Sequence, residues 1–343
     1  MKNSLSHFKF AQFQFVLRAV DCINLPTYKG STLRGAFGHT FKRVVCVNRE
    51  KICKSCLLEE KCVYSYVFET PPPSDTSKMK KYPFAPHPFV ITPPLEENRL
   101  YRKNDTICFE LTLIGKSIDF LPYFIYTFDE LGRMGIGKGK GKYQLEEVRA
   151  IKKGERLKMK GHREETISED ERSKDKGEGY EKIYSGKDKT LHTSDWVIKF
   201  EDIESFRLSP PTLDLRFLTP TRLKFDGALI PKLEFHILFR NLLRRISLLS
   251  YFHCGEELDL DFKRLIEEAK GIRVQKENLH WLDWERYSNR QETRMKMGGF
   301  IGSITFEGDL EPFLPFLLLG EYIHIGKGTS FGLGKYQLSN FES

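Results

Sequence analysis

The pentapeptide GKYQL occurs twice in this chain, at residues 141–145 and again at residues 334–338. Each copy ends a run rich in glycine and lysine, MGIGKGKGKYQL in the first case and HIGKGTSFGLGKYQL in the second. Both runs stand at the end of a similar series of strand and helix patterns. Internal repetition constrains the fold strongly, because each copy must form one structural unit.

The first half begins at residues 8–22, where polar and apolar side chains alternate as they do in a strand. A helical pattern follows at residues 31–46, and a second strand is predicted at residues 106–115. Residues 121–134 predict another helix, after which the first glycine-rich turn leads into a closing strand.

The second half repeats this order with a strand at residues 212–218 and an amphipathic helix at residues 232–252. Strands are predicted at residues 279–287 and 295–307, and a short helix at residues 310–319 precedes the second turn. Each half therefore approximates the strand–helix–strand–strand–helix–strand order of a ferredoxin-like unit. We predict an α+β protein of two tandem ferredoxin-like (βαββαβ) domains.

The 343 residues are enough for two domains. Residues 152–189 are crowded with Lys, Glu, Asp, Arg and Gly and carry almost no apolar side chains, so they cannot build a core. We predict an N-terminal domain at residues 1–150, a charged linker or mobile loop at residues 151–195, and a C-terminal domain at residues 196–343.

The formal net charge of +8 favours an anionic partner. The N-terminus alternates in polarity and lacks the unbroken apolar core of a signal peptide. The most apolar late segment, PFLPFLLLG at residues 312–320, is far shorter than the roughly 20 residues that cross a membrane. We expect a cytoplasmic, soluble protein with no membrane partner.

The glycine-rich turns are candidate anion sites, because successive backbone N–H groups in such turns form concavities that bind anions. Lysines add charge to them at Lys138, Lys140, Lys142, Lys327 and Lys335. Neither turn fits the P-loop pattern or the GxGxxG fingerprint of dinucleotide sites. The alternative is a pair of tight turns with solvated lysines. For a functional pair, we expect the two turns to lie side by side under one RNA strand.

Four of the seven cysteines fall close together, at Cys46, Cys53, Cys56 and Cys62. The Cys-x2-Cys step is typical of a metal knuckle, and the outer two thiolates would complete a tetrahedron. We predict a structural zinc ion within a four-cysteine insertion of the first domain. An iron–sulfur cluster and unligated thiols are the alternatives.

Seven longer segments together resemble one family. They are YKGSTLRGAFGHTFKRVVC, the cysteine segment ending in CVYSYVFETPPP, LTLIGKSIDFLPYF, LRFLTPTRLK, LLRRISLLSYFHCG, HWLDWERYSNRQETRMKMGGFIGSI and GEYIHIGKGTSFGLGKY. With these motifs the chain resembles the CRISPR precursor-RNA processing endoribonucleases of the RAMP (repeat-associated mysterious protein) superfamily. The resemblance covers nearly the whole chain apart from residues 152–189.

The resemblance implies that two ferredoxin-like domains hold a CRISPR repeat RNA and cut the precursor into guide RNAs without a catalytic metal. The ribose 2′-hydroxyl would attack the adjacent phosphorus and leave a 2′,3′-cyclic phosphate and a 5′-hydroxyl. This chemistry needs a base, an acid and cations around the phosphorus. Other CRISPR effector subunits are further partners that the resemblance suggests.

His39 is the first catalytic candidate, because relatives of this family commonly place a catalytic histidine on the first helix. At 100° per residue it lies nearly opposite the apolar stripe of that helix and faces outward with Lys42 and Arg43. Lys42 and Arg43 are therefore RNA-binding candidates. The alternative is an ordinary exposed histidine.

His324 and Tyr287 are the other catalytic candidates. His324 directly precedes the second turn, although its apolar neighbours also fit a core histidine. Tyr287 lies in a polar RYSNRQ segment, where Arg286 or Arg290 would clamp a phosphate. The alternative for this segment is a hydrogen-bonded hairpin between two strands.

Two other functions remain compatible with the sequence. The first is a catalytically inactive RAMP subunit that retains guide RNA within a CRISPR effector complex. The second is a scaffold whose basic turns bind acidic proteins.

Overall fold

The structure is a computed structural model of the chain. It describes residues 5–48, 53, 56–73, 75–80, 82–151, 179–204, 212–230, 232–288 and 293–339. For residues 204, 286–288 and 293–296 it describes the backbone alone. Within these ranges the chain forms two units, each built on an antiparallel sheet.

In the part of the chain that the structure describes, the first unit has nine strands and two α-helices. The strands are β1 (Lys9–Ala19), β2 (Ile23–Asn24), β3 (Phe89–Thr92), β4 (Leu100–Tyr101), β5 (Thr106–Ile114), β6 (Tyr143–Ile151), β7 (Tyr180–Ser185), β8 (Thr190–Leu191) and β9 (Ile198–Lys199), and the helices are α1 (Gly30–Val45) and α2 (Leu121–Met134). The main sheet has the order β3-β5-β1-β6-β7-β8, with β9 paired to β1. In its first four positions the first strand lies between the third and the fourth, which is the ferredoxin-like arrangement.

Aromatic side chains explain why both helices cover one face of this sheet. Phe15 of β1 packs against Phe128 of α2 with ring centroids 5.1 Å apart, and Phe37 of α1 stacks on Phe124 of α2 at 4.9 Å. The alternation of β1 places Phe13, Phe15 and Leu17 in the same buried cluster. The helices and the sheet therefore share one core.

The second unit repeats this plan. Its elements are α3 (Phe200–Glu204), β10 (Thr212–Thr221), β11 (Lys224–Phe225), β12 (Ala228–Leu229), α4 (Phe235–Leu249), α5 (Phe262–Ala269), β13 (Arg273–Leu282), β14 (Glu285–Ser288), β15 (Thr293–Lys296), β16 (Gly299–Glu307), α6 (Leu314–Ile323) and β17 (Tyr336–Ser339). The sheet order β13-β16-β10-β17 again places the first strand between the third and the fourth. The predicted βαββαβ repeat is confirmed in the strand order of both units.

The charged segment is shorter than the sequence predicts. β7 pairs with β6, so the chain from Tyr180 onward belongs to the first sheet and not to a linker. The remainder of the predicted segment, residues 152–178, lies outside the described residues. Among the described helices, none is both long and apolar enough to cross a membrane.

Side chains of both units meet in a shared junction. Phe10 of β1 packs on Tyr322 of α6 with centroids 4.8 Å apart, within the core of the second unit. The buried ring of His253, which follows α4, donates from Nε2 to the carbonyl of Pro86 at 2.7 Å. Its Nδ1 accepts a hydrogen bond from the hydroxyl of Tyr66 at 3.0 Å. These contacts fix one unit against the other.

Candidate functional site

One short segment, residues 24–28, contacts both glycine-rich turns. The N–H of Lys138 in the first turn donates to the carbonyl of Asn24 at 2.9 Å. The hydroxyl of Tyr28 donates to the carbonyl of Phe331 in the second turn at 2.8 Å. Asn24 and Tyr28 are four residues apart, so their Cα atoms are separated by at most about 14 Å.

The second turn rests on the N-terminus of α1. A side chain at Gly30 would place its Cβ 2.0 Å from the carbonyl oxygen of Phe331, so only glycine allows this approach. Gly332, with φ of 83°, approaches the carbonyl of Ile91 on β3 in the same way. The turn therefore contacts the first unit directly.

The exposed face of α1 leads from this turn toward the first one. His39 is exposed, as predicted, and Arg43 lies one helical turn further along the same face. The guanidinium of Arg43 is 3.9 Å from the sulfur of Met134, the residue that precedes the first turn. His39 and Arg43 thus lie between the two glycine-rich turns.

The lysines of the first turn face solvent. Lys138, Lys140 and Lys142 are all exposed. Lys140 has a φ of 52°, and the three glycines before it in the turn, Gly135, Gly137 and Gly139, also have positive φ. The first turn therefore presents three cations to solvent beside the exposed face of α1.

Lys42 points away from this face and toward the cysteines. Its Nζ lies 5.1 Å from the ring of Tyr64, and its side chain is hydrogen bonded to the thiol of Cys53. The expectation that Lys42 faces outward with His39 is therefore wrong. At 100° per residue Lys42 lies 60° from His39, on the side opposite to Arg43, and on that side it reaches Tyr64 and Cys53.

His324 is buried, at 1% exposure, and does not face a surface phosphate as predicted. Its Nδ1 donates to the carbonyl of Leu333 at 3.2 Å, and its Nε2 accepts from the hydroxyl of Thr92 at 3.1 Å. Burial, followed by the charge of Lys335, holds the pKa of His324 well below its ordinary value. This environment favours the neutral ring, which hydrogen bonds to residues of both units.

Lys335 is also enclosed, at 7% exposure, instead of facing RNA as predicted. Its Nζ lies 2.8 Å from a carboxylate oxygen of Glu110 on β5, and the amide of Gln12 donates to the same oxygen at 3.1 Å. The charge of this lysine is therefore matched by a carboxylate of the first unit.

The polar hairpin predicted to hold catalytic groups is present as β14 and β15. Arg286 and Tyr287 occupy β14, where Tyr287 pairs with Arg294, while Arg290 lies outside the described residues. The hairpin begins just after Trp284, whose ring centroid is 4.6 Å from that of Tyr28. Because Tyr28 binds the second turn, the hairpin starts beside that turn.

The four predicted metal ligands surround one small cavity. Its lining includes the side chains of Cys46, Cys53, Cys56 and Cys62, and all four cysteines are free thiols. Burial raises the pKa of Cys53, while the nearby ammonium of Lys42 acts in the opposite direction. In the described part of the chain, no three potential ligands are gathered as closely as a bound ion would hold them.

Three basic residues near Lys327 were not among the predicted RNA-binding set. The N–H of Lys327 donates to the carbonyl of Arg222 at 3.0 Å. Partial burial is the largest cause that lowers the pKa of Lys327, and the positive charges of the nearby Lys224 and Arg244 lower it further. The i, i+4 spacing of Arg240 and Arg244 on the polar face of α4 was the available signal.

Comparison with family models gives two matches. Residues 215–336 match the model described as CRISPR-associated endoribonuclease Cas6, and residues 8–178 match the N-terminal domain model AF_1859_N. An uncharacterized protein of Archaeoglobus fulgidus is 25% identical over 123 residues, which are 36% of this chain and 40% of that protein. The match thus spans less than half the length of this relative.

Solved structures share the fold over nearly the whole chain. A Cas6 product complex has a TM-score of 0.55 at 16% identity, covering 96% of this chain and 99% of that one. Thermus thermophilus Cas6 has a TM-score of 0.52 at 15% identity, with coverage of 96% and 98%. A partial Cas6-RT-Cas1–Cas2 complex has a TM-score of 0.53 at 13% identity, covering 97% of this chain and 46% of that one. Residues 215–336 therefore match the family model of the Cas6 endoribonucleases, and nearly the whole chain shares the fold of solved Cas6 structures.

Proposed function

We propose that this protein binds the repeat RNA of CRISPR transcripts and cuts it at one phosphodiester to release guide RNAs. The observation that carries the proposal is the exposed His39–Arg43 face of α1, which lies between two glycine-rich turns in a chain of the Cas6 type. RNA phosphates and 2′-hydroxyls bind well to basic surfaces lined by backbone donors.

The proposed reaction uses the substrate's own nucleophile. The ribose 2′-hydroxyl loses its proton and attacks the adjacent phosphorus, and the bond from phosphorus to the 5′-oxygen breaks as that oxygen gains a proton. His39 would transfer one of these protons, and Arg43 would neutralise charge on the phosphorus oxygens. Tyr287 is a candidate to position the 2′-hydroxyl. A 2′,3′-cyclic phosphate and a 5′-hydroxyl remain.

The glycine-rich turn at Lys138 and Lys140 would hold the strand next to the cut site. Its exposed lysines attract phosphates, and its glycines leave room for the RNA backbone to approach the N–H groups. Lys335 and His324 would act indirectly, by holding the second turn against the first unit.

The experiment incubates the purified protein with the repeat RNA encoded beside its gene and follows binding and cutting together. The proposal expects tight binding and a single cut in each repeat. Binding without any cut would favour the inactive RNA-retaining subunit. Equal displacement by acidic protein and by repeat RNA would favour the scaffold.

Association with other CRISPR proteins is a separate part of the proposal. One structural match is a partial Cas6-RT-Cas1–Cas2 complex, and that assembly is a property of that protein. We propose that this chain also works beside CRISPR effector subunits in the cytoplasm. Affinity purification from the native host, followed by mass spectrometry, tests this; recovery of no CRISPR protein would contradict it.

We also propose that Cys46, Cys53, Cys56 and Cys62 hold one structural zinc ion. The support is that four free thiols from separate points of the segment line one cavity beside the C-terminus of α1. Four thiolates leave no open position for a catalytic water, so the ion would stabilise this insertion only.

Metal content and thermal unfolding test the zinc proposal together. The wild type should carry one zinc ion and melt at a lower temperature after treatment with a strong chelator. Cys53→Ser combined with Cys56→Ser should lose the metal, whereas Cys22→Ser combined with Cys108→Ser should keep it. Visible absorbance with bound iron would favour the iron–sulfur alternative. Equal zinc in both double variants would rule out this site.

A further inference from the structure

Four cations from three separate parts of the second unit lie together. Lys327 belongs to the second turn, Arg222 and Lys224 flank the start of β11, and Arg244 lies on α4. The N–H of Lys327 donates to the carbonyl of Arg222 at 3.0 Å, and Asn241, one turn before Arg244, donates to the carbonyl of Lys224 at 3.1 Å. We refer to these four residues as the α4 cation cluster.

Three members of the α4 cation cluster have no carboxylate partner within the described chain. Lys224, Arg244 and Lys327 are exposed and make no ion pair with any described residue. Partial burial, followed by the positive charges of Lys224 and Arg244, lowers the pKa of Lys327. A group of mutually repelling cations is stabilised when an anion binds it.

An exposed aromatic from the first unit lies beside this cluster. This residue is Tyr82, and the segment that precedes it crosses the end of α4. There the N–H of Ser77 donates to the hydroxyl of Tyr251 at 3.2 Å, and Lys78 donates to the hydroxyl of Ser247 at 3.4 Å. Ser247 follows Arg244 by about one helical turn. Tyr82 comes next along this segment, is 53% exposed, and lies near enough to influence the charge of Lys327.

Lys78, a lysine close to the α4 cation cluster, differs from the cluster because it has a carboxylate partner. Its ammonium forms an ion pair with Glu257, so its charge is already balanced. Lys224, Arg244 and Lys327, by contrast, form no ion pair with a described residue, and Tyr82 lies near Lys327. Cations that follow a backbone beside an exposed aromatic ring are the combination that single-stranded nucleic acid uses.

We propose that the α4 cation cluster and Tyr82 form a binding site for an unpaired stretch of RNA. The inference rests on the proposed function for the identity of the RNA, and it adds a second contact surface outside the His39 face. Phosphates would lie on Lys224, Arg244 and Lys327, and one base would stack on Tyr82. A paired base is already stacked within its helix and cannot use the ring in this way.

The first test measures binding of a fluorescein-labelled oligouridylate of about 12 nucleotides, which carries no cut site, over a range of salt concentrations. Arg244→Ala combined with Lys327→Ala should lower the slope of log affinity against log salt by about 1.4, since each single-strand contact contributes about 0.7. The matched control is Arg264→Ala combined with Lys270→Ala, two exposed cations that pair with glutamates on α5. The control should retain the wild-type slope. An equal slope in both double variants would overturn the inference.

The second test addresses stacking and chooses between RNA and an acidic protein. Tyr82→Leu should weaken oligouridylate binding about 10-fold, while Tyr82→Phe keeps the ring and should retain wild-type affinity. In RNA that carries 4-thiouridine, irradiation should link the base to the peptide containing Tyr82. An unchanged affinity for Tyr82→Leu, together with equal displacement by polyglutamate of the same charge, would contradict the inference.

These tests are independent of cutting. A failure of the endonuclease proposal would appear as intact repeat RNA with the wild-type protein. A failure of this inference would appear as unchanged oligouridylate binding in the cluster variants.

Discussion

The ring of His324 accepts a hydrogen bond from the hydroxyl of Thr92 at 3.1 Å, although 232 residues separate them in the chain. This bond joins the second glycine-rich turn to the edge strand of the first unit. The second histidine of the junction, His253, contacts Pro86 and Tyr66 of the first unit in a comparable way. Two neutral histidines therefore hold the units together.

The first prediction is that acid weakens this junction. Burial lowers the pKa of His253 to about 4 from an ordinary value of 6.5, and the pKa of His324 is lowered as well. The unfolded histidines take up protons near pH 6.5, whereas the folded ones resist until lower pH. Stability is thus fully present above about pH 6.5 and declines toward pH 4, by at most roughly 3 kcal/mol for His253.

Denaturant unfolding at a series of pH values measures this effect. His253→Gln should flatten the dependence between about pH 6.5 and pH 4, and His192→Gln, which replaces an exposed histidine, should leave it unchanged. The same curve for His253→Gln and the wild type would contradict the prediction.

The second prediction concerns His39. Replacement by alanine should reduce the single-turnover rate of repeat cleavage by about 100-fold or more, because one proton transfer loses its catalyst, while RNA affinity is maintained. His280→Ala provides a control at another exposed histidine, and it should cleave at the wild-type rate. A full rate in His39→Ala would transfer the catalytic role to another group, with Tyr287 as the first candidate.

The third prediction separates two kinds of lysine. Lys138→Ala combined with Lys140→Ala should lower the salt dependence of RNA binding by about 1.4 in slope, because both side chains are exposed. Lys335→Ala should leave that slope intact and instead reduce the free energy of unfolding by about 1–3 kcal/mol, because Glu110 loses its partner. A reduced slope for Lys335→Ala would contradict the buried ion pair.

The fourth prediction uses two glycines of α1. Gly30→Ala should destabilise the protein and displace the second turn, since its Cβ would lie 2.0 Å from the carbonyl oxygen of Phe331. Gly35→Ala is the matched control: beyond its chain neighbours and its own helix backbone, no atom lies within 4 Å of the new Cβ, so it should stabilise the helix by up to about 1 kcal/mol. Thermal unfolding compares the two, and equal destabilisation would mean that Gly30 does not contact the turn.

Regular local patterns predicted most of the fold. The helix at Leu121–Met134 has the bounds that its periodicity indicates, and the repeated order of elements predicted the strand order of both sheets. β3 was missed because Phe89–Thr92 is short and buried throughout, which leaves no alternation to detect. α5 was missed because Phe262–Ala269 makes only about two helical turns.

The candidate site was only partly predictable from the sequence. Exposure set by nearby residues could be predicted, whereas burial set by residues far away in the chain could not. The exposure of His39 depends on its own helix, so helical spacing was sufficient. The burial of His324 and Lys335 depends on Thr92 and Glu110, which lie 232 and 225 residues away. No local pattern records such contacts, and the same reason hid the α4 cation cluster.

Cleavage of repeat RNA in the presence of EDTA, with and without one 2′-deoxy nucleotide at the scissile position, tests the central claim most directly. The account predicts that the unmodified RNA is cut to a 2′,3′-cyclic phosphate and a 5′-hydroxyl, and that the 2′-deoxy RNA is bound equally well but stays intact. Cutting of the 2′-deoxy RNA, or activity only when a divalent metal is added, would contradict the proposed chemistry.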